Sequence, residues 1–328
     1  MFWIFFVLLI FSTSDCILID QIISTSSSTS SSTTSSTTSS STTTAAPGWT
    51  ITGTMSMARA HHTASTLANG LVLVAGGSIG NGSLNSTELY NSSTGIWTTT
   101  GSMNAARADH TASTLANGLV LVAGGSNGNG SLNSTELYNP STGTWTTTGH
   151  MNFARADHTA SILANGSILV AGGSNSGGSL NSVELYNLST GTWATTGNMN
   201  VARKYHAAST LANGLVLVTG GRNGNVYLNN VELYNPSTGI WTATGNMNFA
   251  RGFHTASTLA NGSILVAGGF NGTFLNDAEL YNPSTGTWTT TGNMNVARQY
   301  HAASTLANGS ILITGGYNGA YHNSAELY

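Results

Sequence analysis

The chain has 328 residues and a formal net charge of -3, and charged residues make up only 6% of it. Without a basic footprint it has no electrostatic means of neutralising phosphates, which argues against nucleic-acid binding. Its single cysteine, Cys16, rules out an intramolecular disulfide and any zinc cluster built from cysteines.

Residues 1–11, M-F-W-I-F-F-V-L-L-I-F, form an apolar run as long as the core of a secretory leader. Crossing a bilayer takes about 20 such residues, so the run is too short to span one. Ser12, Thr13 and Ser14 supply small residues where a peptidase could cut, and 1–14 is expected to be a signal peptide. A retained signal anchor is the alternative, because no Lys or Arg precedes the core. Residues 24–44 are an unbroken run of Ser and Thr. Such a segment buries nothing apolar that could offset its ordering entropy. Residues 15–48 are therefore expected to be a disordered stalk, O-glycosylated if the chain is secreted and a plain linker otherwise. The expected location is extracellular, or the cell surface if the leader is kept.

From Trp49 onward the chain repeats. The stretch His62 to Gly77, H-T-A-S-T-L-A-N-G-L-V-L-V-A-G-G, returns five more times. Its double glycine recurs at Gly76-Gly77, Gly124-Gly125, Gly172-Gly173, Gly220-Gly221, Gly268-Gly269 and Gly315-Gly316, a spacing of 48 residues and, at the last step, 47. A fixed period of this size marks a repeat architecture. Each unit opens with a Trp (Trp49, Trp97, Trp145, Trp193, Trp241, Trp288) on a Thr-rich strand, followed by Ala-Arg-x-x-His. Ala-Asn-Gly predicts a type I′ hairpin, since Asn and Gly tolerate positive φ. The apolar run after it, Leu71 to Ala75 in the first copy, predicts a strand covered on both faces. A strand ending Glu-Leu-Tyr follows, and Asn-x-Ser-Thr-Gly turns the chain back to the next Trp. Four short antiparallel strands and no helical periodicity make the fold class all-β.

The apolar run closing in Gly-Gly, then the Tyr, then the Trp, at a period near 50, resemble the kelch motif. The resemblance covers 49–328 and implies a six-bladed β-propeller with one four-stranded blade per unit. The last unit stops at Glu326-Leu327-Tyr328 without its Trp strand, whereas the first is preceded by a spare one at Trp49. That strand is expected to complete the last blade and close the ring. A seventh blade is the alternative if the sequence continues further.

In a blade with strands a to d, the a–b and c–d turns lie at one end, and the b–c and d–a connections at the other. Among the six copies the turns hardly vary, while the differences gather in b–c and d–a, which share one face of the ring. Between Arg and His the first three copies hold Ala60-His61, Ala108-Asp109 and Ala156-Asp157. The last three hold Lys204-Tyr205, Gly252-Phe253 and Gln299-Tyr300. After Gly-Gly the later copies offer Arg222 with Tyr227, Phe270 with Phe274, and Tyr317 with Tyr321 and His322. Aromatics and Arg are enriched in binding hot spots. The candidate partner-binding set is therefore Lys204, Tyr205, Arg222, Tyr227, Phe253, Phe270, Phe274, Gln299, Tyr300, Tyr317 and Tyr321. The competing explanation is loop drift, with the rings merely packing over the blade ends. The kelch resemblance implies that these connections form the ligand face.

Three further groups recur six times: Arg59, Arg107, Arg155, Arg203, Arg251 and Arg298; His62, His110, His158, His206, His254 and His301; and Glu88, Glu136, Glu184, Glu232, Glu279 and Glu326. A catalytic site needs unlike groups in unlike roles, so sixfold repetition points to a contact every blade makes. Burying Arg or Glu is costly unless they are paired. A metal-binding histidine ring, or arginines reaching a ligand in the channel, are the rival readings. The tryptophans read as core plates. No P-loop, Gly-x-Ser-x-Gly elbow or His-Glu-x-x-His is present, and no cofactor or metal is expected. Asn-x-Ser/Thr occurs at Asn81, Asn85, Asn91, Asn129, Asn133, Asn165, Asn187, Asn261, Asn271 and Asn308.

The expectation is a secreted, monomeric, non-catalytic module that binds a protein or a glycan, with no membrane span in the mature chain. One rival is a carbohydrate-active enzyme of the isomerase or mutarotase type; a copper-radical oxidase would need a cysteine in the ring. The other is an intracellular kelch adaptor, which the leader argues against.

Overall fold

The computed structural model describes residues 52–80 and 82–328. The expected leader and stalk, Trp49 and Asn81 lie outside the described residues. Blade three shows the pattern. Strands a (Thr159–Ile162), b (Ile168–Ala171), c (Val183–Asn187) and d (Thr192–Thr195) pair antiparallel in the order a-b-c-d. Blades one, two, four and five repeat this order. Blade six contributes Ala302–Thr305, Ile311–Thr314 and Ala325–Leu327. Its fourth strand, assigned from the sequence to Trp49, falls outside the described residues. Successive blades touch along their a strands, and the architecture is a six-bladed β-propeller. Gly53 donates its amide to Gly95 O at 3.0 Å, as Gly101 does to Gly143 O and Gly149 to Gly191 O. The chain thus enters blade one along the path taken elsewhere by a segment leaving a d strand.

Side chains of a strand alternate between its two faces, and strand b buries both. In blade three Leu169 and Ala171 join a cluster with Val216, Val218 and Tyr234 of blade four. Ile168 and Val170 join one with Leu121 and Ala123 of blade two. That is why strand b reads as a continuous apolar run. On the outer strands Tyr186 pairs with Trp193 across the ladder, with ring centroids 5.1 Å apart.

The a–b hairpin differs from its sequence expectation. Of Asn69 and Gly70 only the glycine has positive φ, at 81°. Leu67 N donates to Leu71 O at 2.9 Å, and Asn69 Oδ1 accepts the Leu71 amide at 3.1 Å. This is a three-residue loop with one left-handed glycine, in which Asn acts through its side chain. The b–c connections also carry an unforeseen two-residue ladder, such as Arg222 opposite Tyr227. The double glycine sits where the next blade's backbone presses in. A Cβ on Gly76 would lie 2.6 Å from Arg107 O, and both glycines have positive φ.

Each repeat arginine is a buried staple. Arg155 donates through Nη1 to the carbonyls of Gly172 (2.7 Å) and Ser182 (2.9 Å), and through Nη2 to Glu184 Oε1 (2.9 Å). Glu184 in turn accepts the Asn152 and Phe153 amides at 2.6 and 3.0 Å. The d–a connection is thereby fixed to strand c of its own blade. Histidines join neighbouring blades: His206 Nε2 lies 2.9 Å from Thr159 Oγ1 of the preceding blade. Blade four places Ala207 where blade three has Thr159, and Thr219 where blade three has Ala171. Thr219 Oγ1 then meets His254 Nε2 at 2.8 Å. The hydroxyl has moved to the opposite member of the cross-strand pair and the bond survives.

Burial, reinforced by the adjacent Arg59, lowers His62 to about 4. Burial with the adjacent arginine lowers His206 and His301 to about 3. At neutral pH these rings are uncharged whether the chain is folded or not. Below the ordinary value of 6.5 only the unfolded chain takes up their protons, so stability drains away between about pH 6.5 and the lowered native values. Each such histidine costs about 2 kcal/mol at pH 5, and several together rival the roughly 5–15 kcal/mol of an ordinary domain. Denaturant midpoints measured from pH 7.5 to 4.5 are expected to fall steeply below pH 6.5. A flat profile would contradict the histidine assignment.

Candidate binding face

Six d–a connections end in a non-glycine residue of positive φ, between 54° and 59°: His61, Asp109, Asp157, Tyr205, Phe253 and Tyr300. Each such backbone costs about 1–3 kcal/mol unless its surroundings hold it. Here the holding is visible. Asp109 N donates to His61 O, Asp157 N to Asp109 O, Tyr205 N to Asp157 O, Phe253 N to Tyr205 O and Tyr300 N to Phe253 O, at 3.0–3.3 Å. Hydrogen bonds thus pass from blade to blade and set six side chains in one circlet.

The circlet has two chemical halves. His61 Nδ1 lies 2.9 Å from Asp109 Oδ1, and Ser174 Oγ donates to Asp157 at 3.2 Å. Tyr205 meets Phe253 at a centroid distance of 4.0 Å, and Phe253 meets Tyr300 at 4.5 Å. Phe253, only 8% exposed, is the filling of this stack. Burial pushes the Tyr205 phenol up, helped by the nearby carboxylates of Asp157 and Asp109 and by Tyr300. The phenol therefore stays protonated beside Asp157.

Backbone bridges tie this circlet to the b–c loops: Lys204 to Arg222, Gly252 to Phe270 and Gln299 to Tyr317. On those loops a second arc of rings runs Tyr227–Phe270–Phe274–Tyr317–Tyr321, with successive centroids 5.1–5.8 Å apart. Its outer end, Tyr321, is 81% exposed. Gly252 packs against this arc, and a Cβ there would sit in ordinary contact with the Tyr227 ring, 3.5 Å from Cδ1.

Charge on this face is sparse. The chain has eight Lys and Arg in all, and six are the stapling arginines. The remaining two, Lys204 and Arg222, are bridge partners of each other and have no carboxylate partner among the described residues. Lys204 Nζ lies 4.8 Å from the Tyr205 centroid, and the Arg222 guanidinium 5.4 Å from that of Tyr227. Arg222 Nη2 also donates to Asn225 Oδ1 at 2.8 Å.

All eleven candidate residues thus lie at one face, in two linked arcs, nine on the b–c and d–a connections and Phe270 and Phe274 at the facing ends of blade five's lengthened b and c strands. Phe253 and Gln299 are buried and support their neighbours; the others are partly or largely exposed. Sequence reasoning passed over Val226, an apolar loop tip 63% exposed beside Arg222. It also set aside His61, Asp109 and Asp157, which share the circlet with the aromatic residues. Their equivalence of position was the signal, and their difference in chemistry hid it. Among the described residues no group of three or more His, Cys, Asp or Glu is placed to hold a metal ion. The repeat histidines are spread along the blade junctions.

A family model described as the KLHDC2/KLHL20/DRC7 Kelch-repeats domain matches residues 146–316, over half of the chain. The Kelch motif matches at 59–104 and again at 107–152. The chain belongs to the kelch-repeat family. A comparison with curated proteins finds no match. Within this kelch propeller the two arcs should separate under truncation. Phe253→Ala is expected to cost about 3–5 kcal/mol of stability, and Tyr321→Ala no more than about 0.5 kcal/mol, both read as denaturant midpoints. Equal effects would show that the arcs are not packed as described.

Proposed function

We propose that this kelch propeller is a secreted, non-catalytic binding module, carried on its Ser/Thr-rich stalk, that takes a protein partner on the loop face of blades four to six. Family membership supports partner binding as the general role. One observation points to these blades: Lys204 and Arg222, the two Lys/Arg residues with no carboxylate partner among the described residues, lie side by side at the head of a partly exposed aromatic arc. Rings and Arg bring large contact area at small entropic cost, and they dominate hot spots. The leader-like run at 1–11 supports the secretory part of the reading.

Partner capture from extracellular fluid, alongside a glycan array, tests the assignment. Arg222→Ala and Tyr321→Ala are each expected to cost about 2 kcal/mol of binding, roughly a 30-fold loss, with unchanged melting. Capture that both variants leave intact would remove the loop face from consideration. A glycan signal lost with the same variants would replace the protein partner by a sugar, and turnover of an aldose by the purified ring would replace the binding module by an enzyme.

A further inference from the structure

The described residues sort the Asn-x-Ser/Thr sites by what the amide nitrogen does. At Asn165, Asn261 and Asn308, in a–b turns, Oδ1 accepts the amide of the serine two residues on, at 3.0 Å, while the residue is exposed. At Asn91 and Asn187, in c–d turns, Oδ1 accepts the Ser93 and Ser189 amides at 2.9 Å. Among the described residues Nδ2 has no hydrogen-bond partner at any of the five, nor at Asn129 and Asn271, which lie on the loop face and not in the turns. Asn85 and Asn133 differ: Nδ2 donates to Met103 O and Met151 O at 3.1 Å. Asn181, Asn229 and Asn276 make the same bond in blades three to five without being acceptor sites. At that position the asparagine is part of the blade, and the threonine completing the motif, Thr87 or Thr135, is a buried strand residue.

A second observation comes from the turns themselves. Copies one, two and four read Ala-Asn-Gly-Leu, and Leu71, Leu119 and Leu215 pack against the hydrophobic core. Copies three, five and six exchange that leucine for Ser167, Ser263 and Ser310. Each exchange gives up apolar contact, and each supplies the hydroxyl that an N-glycan acceptor requires.

We infer that Asn91, Asn165, Asn187, Asn261 and Asn308 carry N-linked glycans, so that the turn face of the ring is clothed in sugar. In the transfer, each Nδ2 bonds to the anomeric carbon of a lipid-linked oligosaccharide. The carbon–oxygen bond to the lipid pyrophosphate breaks, the pyrophosphate leaves, and the amide loses one proton to base. Oδ1 keeps its turn hydrogen bond throughout. Because a–b and c–d turns share one end of every blade, the five sugars project away from the loop face. Blades two and four stay bare on the turn side, having Leu119 and Leu215 in one turn and Pro140 and Pro236 in the other.

The inference rests on the secretory reading, and the test separates the two. The full chain is expressed in a eukaryotic secretory host behind its own leader and, in parallel, behind an established one. An amidase that converts glycan-bearing Asn to Asp is then followed by peptide mass mapping. Conversion at the five turn sites and not at Asn85 or Asn133 is the expected result. Ser167→Ala, Ser263→Ala and Ser310→Ala should each remove one glycan mass and leave the melting curve of the de-glycosylated protein unchanged. Secreted protein with unmodified turn sites behind the established leader would overturn the inference, as would conversion at Asn85 and Asn133 equal to that in the turns. Glycans appearing only with the established leader would sink the native leader's role and leave the turn sites standing. Conversion at Asn271, beside Phe270 and Phe274, would count against the proposed partner face alone.

Discussion

No blade of this protein can cover its own core. Strand b is apolar on both faces, and each face finds its partner in a different neighbour, as Ile168 and Val170 do in blade two and Leu169 and Ala171 in blade four. Hydrophobic burial is the main favourable term in folding, and here most of it is created between units. A ring is a natural answer, because every interior sheet then has two neighbours. The remaining repeated devices follow from the close approach that such packing demands. Gly76 and its counterparts let the next blade's Arg carbonyl come in where a Cβ would clash. The histidine–threonine bonds satisfy polar atoms that the same approach removes from water.

The chain's low charge content belongs to this design. Its stapling arginines lie in the seams, and a buried ion is tolerable only when it is paired and hydrogen-bonded. Each of the six gives Nη2 to its glutamate and Nη1 to the carbonyls at the Gly-Gly and just before that glutamate, while Nε is left buried without a partner among the described residues at Arg59, Arg107, Arg155, Arg203 and Arg251. Removing one partner would leave the other buried and uncompensated. Solubility then falls to Ser, Thr and Asn in the turns, which meet water without presenting a field to it.

Much of this architecture was legible in the sequence because it is written six times. The continuous apolar run gave strand b, and the Asn-x-Ser-Thr-Gly turn between Glu-Leu-Tyr and the next Trp gave the outer ladder. The hairpin was misjudged in detail, since Asn-Gly fits both a two-residue turn with two left-handed residues and a three-residue loop with one. Only the backbone distinguishes them. The shift of hydroxyl from Thr159 to Thr219 was also out of reach. Read along the chain, Thr→Ala and Ala→Thr look like unrelated changes; only the cross-strand register makes them one conserved bond. For the candidate face, the differences among copies located the connections, because a residue free of the repeated contacts is free to vary. Burial was not legible. Phe253 and Tyr300 occupy the same place in their units, yet Phe253 is enclosed because it has an aromatic residue on each side.

That contrast bears on how an equivalent position acquires different work. The circlet's backbone is held in the same left-handed conformation at all six sites by inter-blade hydrogen bonds, so the backbone does not dictate the side chain there, and only a ring enclosed by its neighbours, as at Phe253, is tied to the packing. Alternation of Asp and Tyr costs the ring little, whereas any change at the stapling arginines is felt by every bond they make. Blades one to three place His and Asp in the circlet, and blades four to six place aromatics there and extend them outward along the b–c loops. Symmetry sets the scaffold's stability, and the departure from symmetry sets the chemistry of its face. On the proposed reading, a partner would approach off the axis, over the blades where the second arc begins at Arg222 and ends at Tyr321.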